Sequence, residues 1–165
     1  MQIMNLGREY AKDMLAIYNE AVLNTTASFD LQCRDLEYMN DYFSDKEAGN
    51  FPILGIVEEG TLLGYASYGT FRPRAAYKRT VEVSIYIHKD QRGKGLGQML
   101  LSQLIAKAVE QQYHCMVAAI DAQNKISIYV HQKAGFSLCG VVKEVGYKFD
   151  SYRDLVFMQL LLPTS

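Results

Sequence analysis

A short glycine-rich segment has the residue types and spacing that most clearly indicate chemistry. Residues 92–97 read Arg-Gly-Lys-Gly-Leu-Gly, after a segment typical of a strand and before one with helical spacing. The first backbone N–H groups of a helix have no partner within the helix, and the helix dipole adds partial positive charge there. Glycines let a ligand approach this backbone closely, and Arg92 and Lys94 add charge. The segment therefore predicts a phosphate-binding loop.

The residues alone leave two other interpretations of this loop open, a tight turn and a dinucleotide-binding loop. It could be a tight turn whose basic side chains are merely solvated. It does not match the GxxxxGK[ST] pattern of a nucleoside triphosphate loop. The dinucleotide pattern GxGxxG fits better, although Gln98 stands where its third glycine belongs, and Asp121 ends a later strand, as a ribose-binding acid does. A dinucleotide-binding oxidoreductase is the weaker alternative, because 165 residues leave no room for a second nucleotide-binding half and a substrate domain.

A glutamate on the strand before the loop is the candidate general base. Residues 80–88 alternate, and Glu82 is the only acid among residues 80–88, on the face opposite Val81, Val83, Ile85 and Ile87. A carboxylate at such a position can act as a general base. The alternative is a solvated or ion-paired side chain. Arg72 and Arg74 precede this strand, and a guanidinium suits the recognition of a carboxylate.

Composition narrows the class of protein. The chain is 49% hydrophobic and 21% charged, with a net charge of -1, which is typical of one soluble domain and does not favour nucleic acid binding. No apolar run approaches the roughly 18 residues of a membrane span, and residues 1–10 lack a signal-peptide pattern. Cys33, Cys115 and Cys139 are widely spaced. We therefore expect reduced thiols, a cytoplasmic location, no metal site and no membrane partner.

The elements that must position these residues follow from periodicity. Helical spacing occurs in residues 10–23, 35–48 and 126–133, and from the glycine loop to residue 111. Strands are predicted at residues 53–58, 62–70, 80–88, 115–120, 141–145 and 155–162, with a short first strand at 2–6. This mixed order predicts an α/β protein with one central sheet and helices on both faces.

Two motifs resemble those of the GNAT acetyltransferase superfamily. Arg92, Gly95 and Gly97 fit its Arg-x-x-Gly-x-Gly pattern, whose loop grips the pyrophosphate of acetyl-CoA. A second pattern, Asn-xx-Ala/Ser-xx-Leu-Tyr-xxx-Gly-Phe, is similar to Asn124, Ser127, Val130, His131, Gly135 and Phe136. His131 stands where many members have tyrosine.

The chain resembles more closely the phosphinothricin and methionine sulfoximine acetyltransferase group of that superfamily. The similar segments are residues 18–22, 24–26, 29–30, 71–73, 77, 80–82, 146–149 and 154. This chain has Phe71 and Tyr152 where the group often has tryptophan, and it contains no tryptophan. Both positions lie in or near segments that shape the amine pocket in the group.

The resemblance implies a single GNAT domain over residues 1–165, with a mostly antiparallel mixed sheet of six or seven strands and about four helices. It implies an acetyl-CoA-dependent N-acetyltransferase that acetylates the α-amino group of a small amino acid or analogue, by direct transfer in a ternary complex. It also implies a homodimer. A GNAT-fold module that binds CoA or an amino acid as a sensor, without turnover, is the alternative within this fold.

The resemblance also implies residue roles. Glu82 matches the group's catalytic glutamate. His131 could shuttle a proton to the leaving thiolate, help to deprotonate the amine, or be structural. The predicted amine-pocket residues are Arg72, Arg74, Tyr77 and Phe29, with Tyr147 as a further wall. The predicted cofactor-binding residues are Ile85, Tyr86, Ile87, Arg92, Gly93, Lys94, Gly95, Leu96, Gly97, Gln98 and Asn124.

Overall fold

Seven strands form one mixed sheet in the structure, a computed structural model that describes residues 1–163. The strands are β1 (Gln2–Asn5), β2 (Ile53–Glu58), β3 (Thr61–Thr70), β4 (Thr80–Ile87), β5 (Cys115–Asp121), β6 (Ser137–Lys148) and β7 (Ser151–Leu161). The helices are α1 (Ala11–Asn24), α2 (Leu36–Ala48), α3 (Leu96–Glu110) and α4 (Lys125–Lys133). The strand order is β1-β2-β3-β4-β5-β7-β6, and only β4 and β5 are parallel neighbours. The predicted fold class is confirmed.

Two hydrophobic cores lie on opposite faces of the sheet. One contains the buried stripe of α3, including Leu100 and Leu104, together with apolar residues of α4. The other contains the buried residues of α1 and α2, including Met14 and Met39. Because side chains alternate along a strand, Val81 and Val83 of β4 face the first core, whereas Glu82 lies on the face that α1 and α2 cover.

Local signals explain where several elements begin and end. The carboxylate of Asp35 accepts a hydrogen bond of 2.9 Å from the backbone N–H of Tyr38 and so caps α2. The β2–β3 turn has positive φ at Glu59 and Gly60, as a tight hairpin requires. Gly135, with φ of 104°, follows the end of α4.

The predicted bounds of the last two strands are wrong. β6 extends well beyond residues 141–145, and β7 begins four residues before residue 155. β6 is the edge strand, most of its residues are exposed, and its register with β7 shifts between Leu138 and Gly140 and again between Val142 and Gly146. A strand with two exposed faces needs no alternation of apolar and polar residues, so its full length leaves little periodic signal.

Candidate active site

A cleft of about 1430 Å³ opens where β4 and β5 separate. These strands pair only from Thr80 to Glu82 on β4 and from Cys115 to Val117 on β5. β4 then remains paired with β3 as far as Ile87, and β5 remains paired with β7 as far as Asp121. The facing edges therefore leave backbone N–H and C=O groups without a strand partner, which an extended ligand can use.

The glycine loop forms part of the wall of this cleft. Gly93 and Gly95 have φ of 77° and 81°, and Gly95 is the N-cap of α3 with no side-chain hydrogen bond to the helix. A Cβ built on either glycine meets no atom within 4 Å, so the space above the backbone is open to a ligand. The first N–H groups of α3 are therefore accessible from the cleft, and an anion is the kind of ligand that such groups bind.

Arg92 holds the glycine loop in place through two contacts. Its guanidinium forms an ion pair of 2.5 Å with Glu20 of α1, and its Nε donates to the Ile87 carbonyl at 3.3 Å. Lys94 donates to the side chain of Gln91 at 3.0 Å. Sequence reasoning missed Glu20, whose one signal is that it lies within the similar segment 18–22. Arg92 therefore fixes the loop to α1 and β4. Within residues 1–163, no side chain accepts a hydrogen bond from the first N–H groups of α3, so these donors are available to a ligand.

Glu82 lies on the cleft wall at the end of the β4–β5 pairing and is only partly exposed. Burial raises the pKa of its carboxyl group, and the positive charge of Arg72 opposes that rise. A higher pKa makes a carboxylate a better proton acceptor near neutral pH. The environment of Glu82 therefore increases the proton affinity of its carboxylate.

The predicted amine-pocket residues do not all line the cleft. Phe29 does, from the segment between α1 and α2. Arg72, Arg74 and Tyr77 are exposed on the β3–β4 connection and are not part of the cleft lining. Arg72 lies 5.2 Å from the ring of Phe71, which packs edge-on against Tyr77 at 5.7 Å. These residues form a small cluster at the rim of the cleft. The positive charge of Arg72 lowers the pKa of Glu82 and so couples this cluster to the cleft.

His131 is buried in α4 and lines the cleft. Its Nδ1 donates to the Ser127 carbonyl at 2.7 Å, so the other ring nitrogen, Nε2, carries the lone pair of the neutral ring. Burial lowers the pKa of His131, which favours this neutral form. The ring also packs edge-on against Phe136 at 5.0 Å.

Asn124, a predicted cofactor-binding residue, also caps the N-terminus of α4. Its Oδ1 accepts a 3.1 Å hydrogen bond from the N–H of Ser127 and caps α4. The amide NH₂ group remains as a donor on the cleft wall. The cap uses one lone pair of Oδ1, and the second lone pair remains as an acceptor.

Asp121 and Arg153 form a pair in the cleft that sequence reasoning did not identify. Asp121 is buried, and its Oδ2 has no hydrogen bond within residues 1–163. Arg153 Nη1 lies 3.7 Å from that oxygen and donates to the side chain of Gln123 at 3.1 Å. One sign of this pair is visible in the sequence: Asp121 ends a buried strand, a position that fits the ribose-binding acid of the dinucleotide alternative.

The segment between α1 and α2 is held against the β6–β7 hairpin. The buried Lys148 donates from Nζ to the Ser28 carbonyl at 2.7 Å. Gly146 lies directly beneath Phe29, where an added Cβ would approach the ring to 2.8 Å. These contacts fix one wall of the cleft. Tyr147, by contrast, is exposed and pairs with Tyr152 outside the cleft.

Within residues 1–163, no three His, Cys, Asp or Glu side chains cluster in a way that could hold a metal ion. None of the helices in the described part of the chain combines the length and apolar character of a membrane span.

Comparison with known proteins gives consistent results. The family model "Acetyltransferase (GNAT) family" matches residues 14–136. The L-methionine sulfoximine/L-methionine sulfone acetyltransferase of Pseudomonas aeruginosa is 47% identical over 150 residues, 90% of this chain and 87% of that protein. The L-amino acid N-acyltransferase MnaT of Escherichia coli is 42% identical over 146 residues, 88% of this chain and 85% of that protein.

A solved structure with its donor bound is also similar. It is a GNAT superfamily phosphinothricin acetyltransferase from Sinorhizobium meliloti in complex with acetyl-CoA, 33% identical to this chain. The TM-score is 0.95, over 98% of this chain and 88% of that one.

Proposed function

Because this chain belongs to the GNAT acetyltransferase family and is an acetyl-CoA-dependent N-acetyltransferase, we propose that it acetylates the α-amino group of a small amino acid or analogue. The analogues in question are of the methionine sulfone, methionine sulfoximine and phosphinothricin type, as the names of the relatives suggest. The observation that carries the proposal is the position of Glu82, a partly buried acid where the cleft begins. We also propose that residues 1–165 act as one catalytic domain.

The donor fits the described cleft. When bound, acetyl-CoA supplies an acetyl group activated as a thioester. The edge of β4 at Ile85, Tyr86 and Ile87, which has no strand partner on the cleft side, would bind its pantetheine arm, and Asn124 would donate to it. The pyrophosphate would lie against Arg92, Gly93, Lys94, Gly95, Leu96, Gly97 and Gln98. A backbone N–H of β4 could also polarise the thioester carbonyl.

Glu82 would remove the proton that keeps the acceptor amine unreactive. An α-amino group has a pKa of about 7.7–8.0 and is mostly protonated at neutral pH. Since burial raises the pKa of Glu82, the difference in proton affinity between amine and carboxylate is smaller than in water. Direct transfer in a ternary complex follows, with no acetylated side chain required.

His131, which also lines the cleft, would act as a second proton acceptor. In the neutral ring with Nδ1 bonded to Ser127, Nε2 accepts a proton and has none to give. This tautomer favours a role in deprotonating the amine over direct delivery of a proton to the leaving thiolate. Arg72 would bind the α-carboxylate, with Arg74, Tyr77 and Phe29 bordering the acceptor.

We further propose a homodimer in the cytoplasm. The edge strand β6 exposes the apolar side chains of Leu138, Val141, Val142 and Val145, and such an edge is normally covered. A second copy of this chain is the proposed cover. The three cysteines are free thiols, which supports a reducing compartment. Light scattering on the Val142→Asp variant should show a shift towards monomer.

The proposed function is tested by measuring free thiol released from acetyl-CoA with methionine sulfone, methionine sulfoximine, phosphinothricin and ordinary amino acids. We expect turnover with at least one of them. A thermal-shift series with acetyl-CoA and CoA accompanies it. Turnover of none of these amino acids would contradict the proposed class of acceptor.

A further inference from the structure

One arginine of the cleft has no role in the proposed reaction. Arg153 of β7 lines the cleft, and its side chain is 14% exposed. Its Nε donates to the Lys148 carbonyl at 3.4 Å, and its Nη1 donates to the side chain of Gln123 at 3.1 Å. Within residues 1–163, the third nitrogen of the guanidinium, Nη2, has no hydrogen-bond acceptor. Arg153 therefore keeps donors for a ligand in the cleft.

A buried carboxylate holds this guanidinium in place. The side chain of Asp121 is only 1% exposed, and its Oδ2 accepts no hydrogen bond from residues 1–163. Arg153 Nη1, at 3.7 Å, is the one ion-pair partner of Asp121 in the described part of the chain. A buried carboxylate is strongly destabilising without a counter-charge. The charge of Asp121 thus fixes Arg153 at the cleft wall, although the two groups form no direct hydrogen bond.

The charge around Arg153 is positive on balance. The ammonium group of Lys148 donates to a neutral group, a backbone carbonyl, at 2.7 Å. The nearby carboxylate of Asp30 is already paired with Arg34 at 2.9 Å. Asp121 therefore offsets one of the two positive charges of Arg153 and Lys148, and the other remains. Such a site favours an anion, and a guanidinium is best suited to a carboxylate.

Arg153 lies on the same face of the sheet as the proposed base. Glu82 is the register partner of Val117 on β5, and Asp121 follows Val117 by four residues. Asp121 is the register partner of Leu155 on β7, and Arg153 precedes Leu155 by two residues. Register partners share a face, and steps of two or four residues keep that face. Arg153 therefore borders the side of the cleft on which the amine is deprotonated.

A free amino acid is too short to contact both side chains. Asp121 lies about 13 Å along the strand from the register partner of Glu82. In a free amino acid, amine and carboxylate are separated by no more than one residue length, about 3.5 Å. An extended tripeptide spans about 10 Å, and the long side chain of Arg153 covers the remaining distance. An acceptor of about three residues can thus place its amine at Glu82 and its carboxylate at Arg153.

We propose that this enzyme also acetylates the N-terminal amine of short peptides, and that Arg153 binds their C-terminal carboxylate. The acetyl group passes from sulfur to the N-terminal nitrogen, the amine gives up one proton, and CoA leaves as the thiol. The proposal rests on the proposed function, because Glu82 again serves as the base. It goes beyond that function in the length of the acceptor and in the residue that binds it.

The test compares the tripeptide methionyl-alanyl-alanine with the same peptide amidated at its C-terminus. Both have the same N-terminus, so the ratio of their kcat/KM values isolates the contribution of the carboxylate. We expect wild type to prefer the free acid by about 10-fold, the size of one hydrogen bond to a charged group. Arg153→Gln should bring the ratio close to 1, mainly by raising KM for the free acid.

Two further variants control for folding and for charge. Arg153→Gln leaves Asp121 buried without a counter-charge, which is destabilising. The double variant Asp121→Asn, Arg153→Gln removes both charges; it should melt at a higher temperature than the single variant and also give a ratio near 1. Arg79→Gln removes the charge of an exposed arginine that does not line the cleft, and it should keep the wild-type ratio.

The outcomes separate this proposal from the proposed function. A wild type that acetylates free amino acids but neither peptide, or that uses the acid and the amide equally well, would overturn the peptide activity and leave the proposed function intact. A wild-type ratio in Arg153→Gln and in the double variant would overturn the assignment of Arg153. Acetylation of the peptides without that of any free amino acid would overturn the proposed acceptor instead, and turnover of neither class would overturn both.

Discussion

Glu82 of β4 and Val117 of β5 are the last pair that these parallel strands make before they diverge. Up to this pair, each strand satisfies the backbone of the other. Beyond it, both edges face the cleft, and the glycine loop closes the far end of β4. One break in strand pairing therefore places a carboxylate, an unpaired backbone edge and a helix N-terminus along a single groove. That arrangement suits a long donor whose reactive end reaches an amine at Glu82.

Replacing the proposed base should separate catalysis from donor binding. Glu82→Gln keeps the size of the side chain but cannot accept the amine proton. We expect kcat to fall by about 10²–10⁴-fold, the usual contribution of general base catalysis. The affinity for acetyl-CoA, measured by calorimetry, should change less than twofold. Glu58→Gln, an exposed change at the end of β2, is the control; an equal loss of kcat there would refute the assignment.

The charge of Arg72 should set the acid limit of activity. Burial raises the pKa of Glu82 and Arg72 lowers it, so removing the charge in Arg72→Gln should raise that pKa further. The base must be deprotonated to work, and activity is lost as pH falls through its pKa. The acidic limb of the kcat/KM profile should therefore move to higher pH. Arg74→Gln keeps Arg72 and should leave the limb in place; an unmoved limb in Arg72→Gln contradicts the coupling.

Much of the site was predictable because its signals are local. The glycine loop, the strand that carries Glu82 and the helix that carries His131 each reveal their structure within a few residues, through spacing and glycine placement. The resemblance to a known family then supplied their roles. The position of Glu82 on the polar face of β4 follows from alternation alone.

What was missed depends on contacts between distant parts of the chain. Glu20 reaches Arg92 from α1, and Lys148 reaches Ser28 across the fold. Neither contact has a periodic signature.

The glycine loop can be tested with two glycines that have the same backbone strain. Gly95 and Gly60 have φ of 81° and 78°, and an added Cβ meets nothing within 4 Å at either. Gly95→Val and Gly60→Val should therefore cost similar stability, about 1–2 kcal/mol, from left-handed backbone strain. Only Gly95→Val places a side chain over the proposed pyrophosphate site. It should weaken acetyl-CoA binding at least 10-fold, and equal affinities in the two variants would contradict the site.

The contact between Gly146 and Phe29 should affect the binding of the acceptor amino acid and not the binding of acetyl-CoA. A Cβ on Gly146 would lie 2.8 Å from the ring of Phe29, which is 37% exposed and lines the cleft. The ring can move, so Gly146→Ala should cost less than about 1 kcal/mol of stability. We expect the KM for the amino acid to rise several-fold while the affinity for acetyl-CoA stays the same. Steady-state kinetics and calorimetry measure the two effects separately.

A double-mutant cycle tests whether the ring of Phe29 causes the expected rise in KM of the Gly146→Ala variant. If the displaced ring is responsible, Gly146→Ala should have no further effect on KM in a Phe29→Ala background. Gly140→Ala is the matched control on the same strand, because a Cβ there meets nothing within 4 Å. Its KM should equal that of wild type. Additive effects of the Gly146 and Phe29 substitutions would show that β6 acts on the acceptor by a route other than this ring.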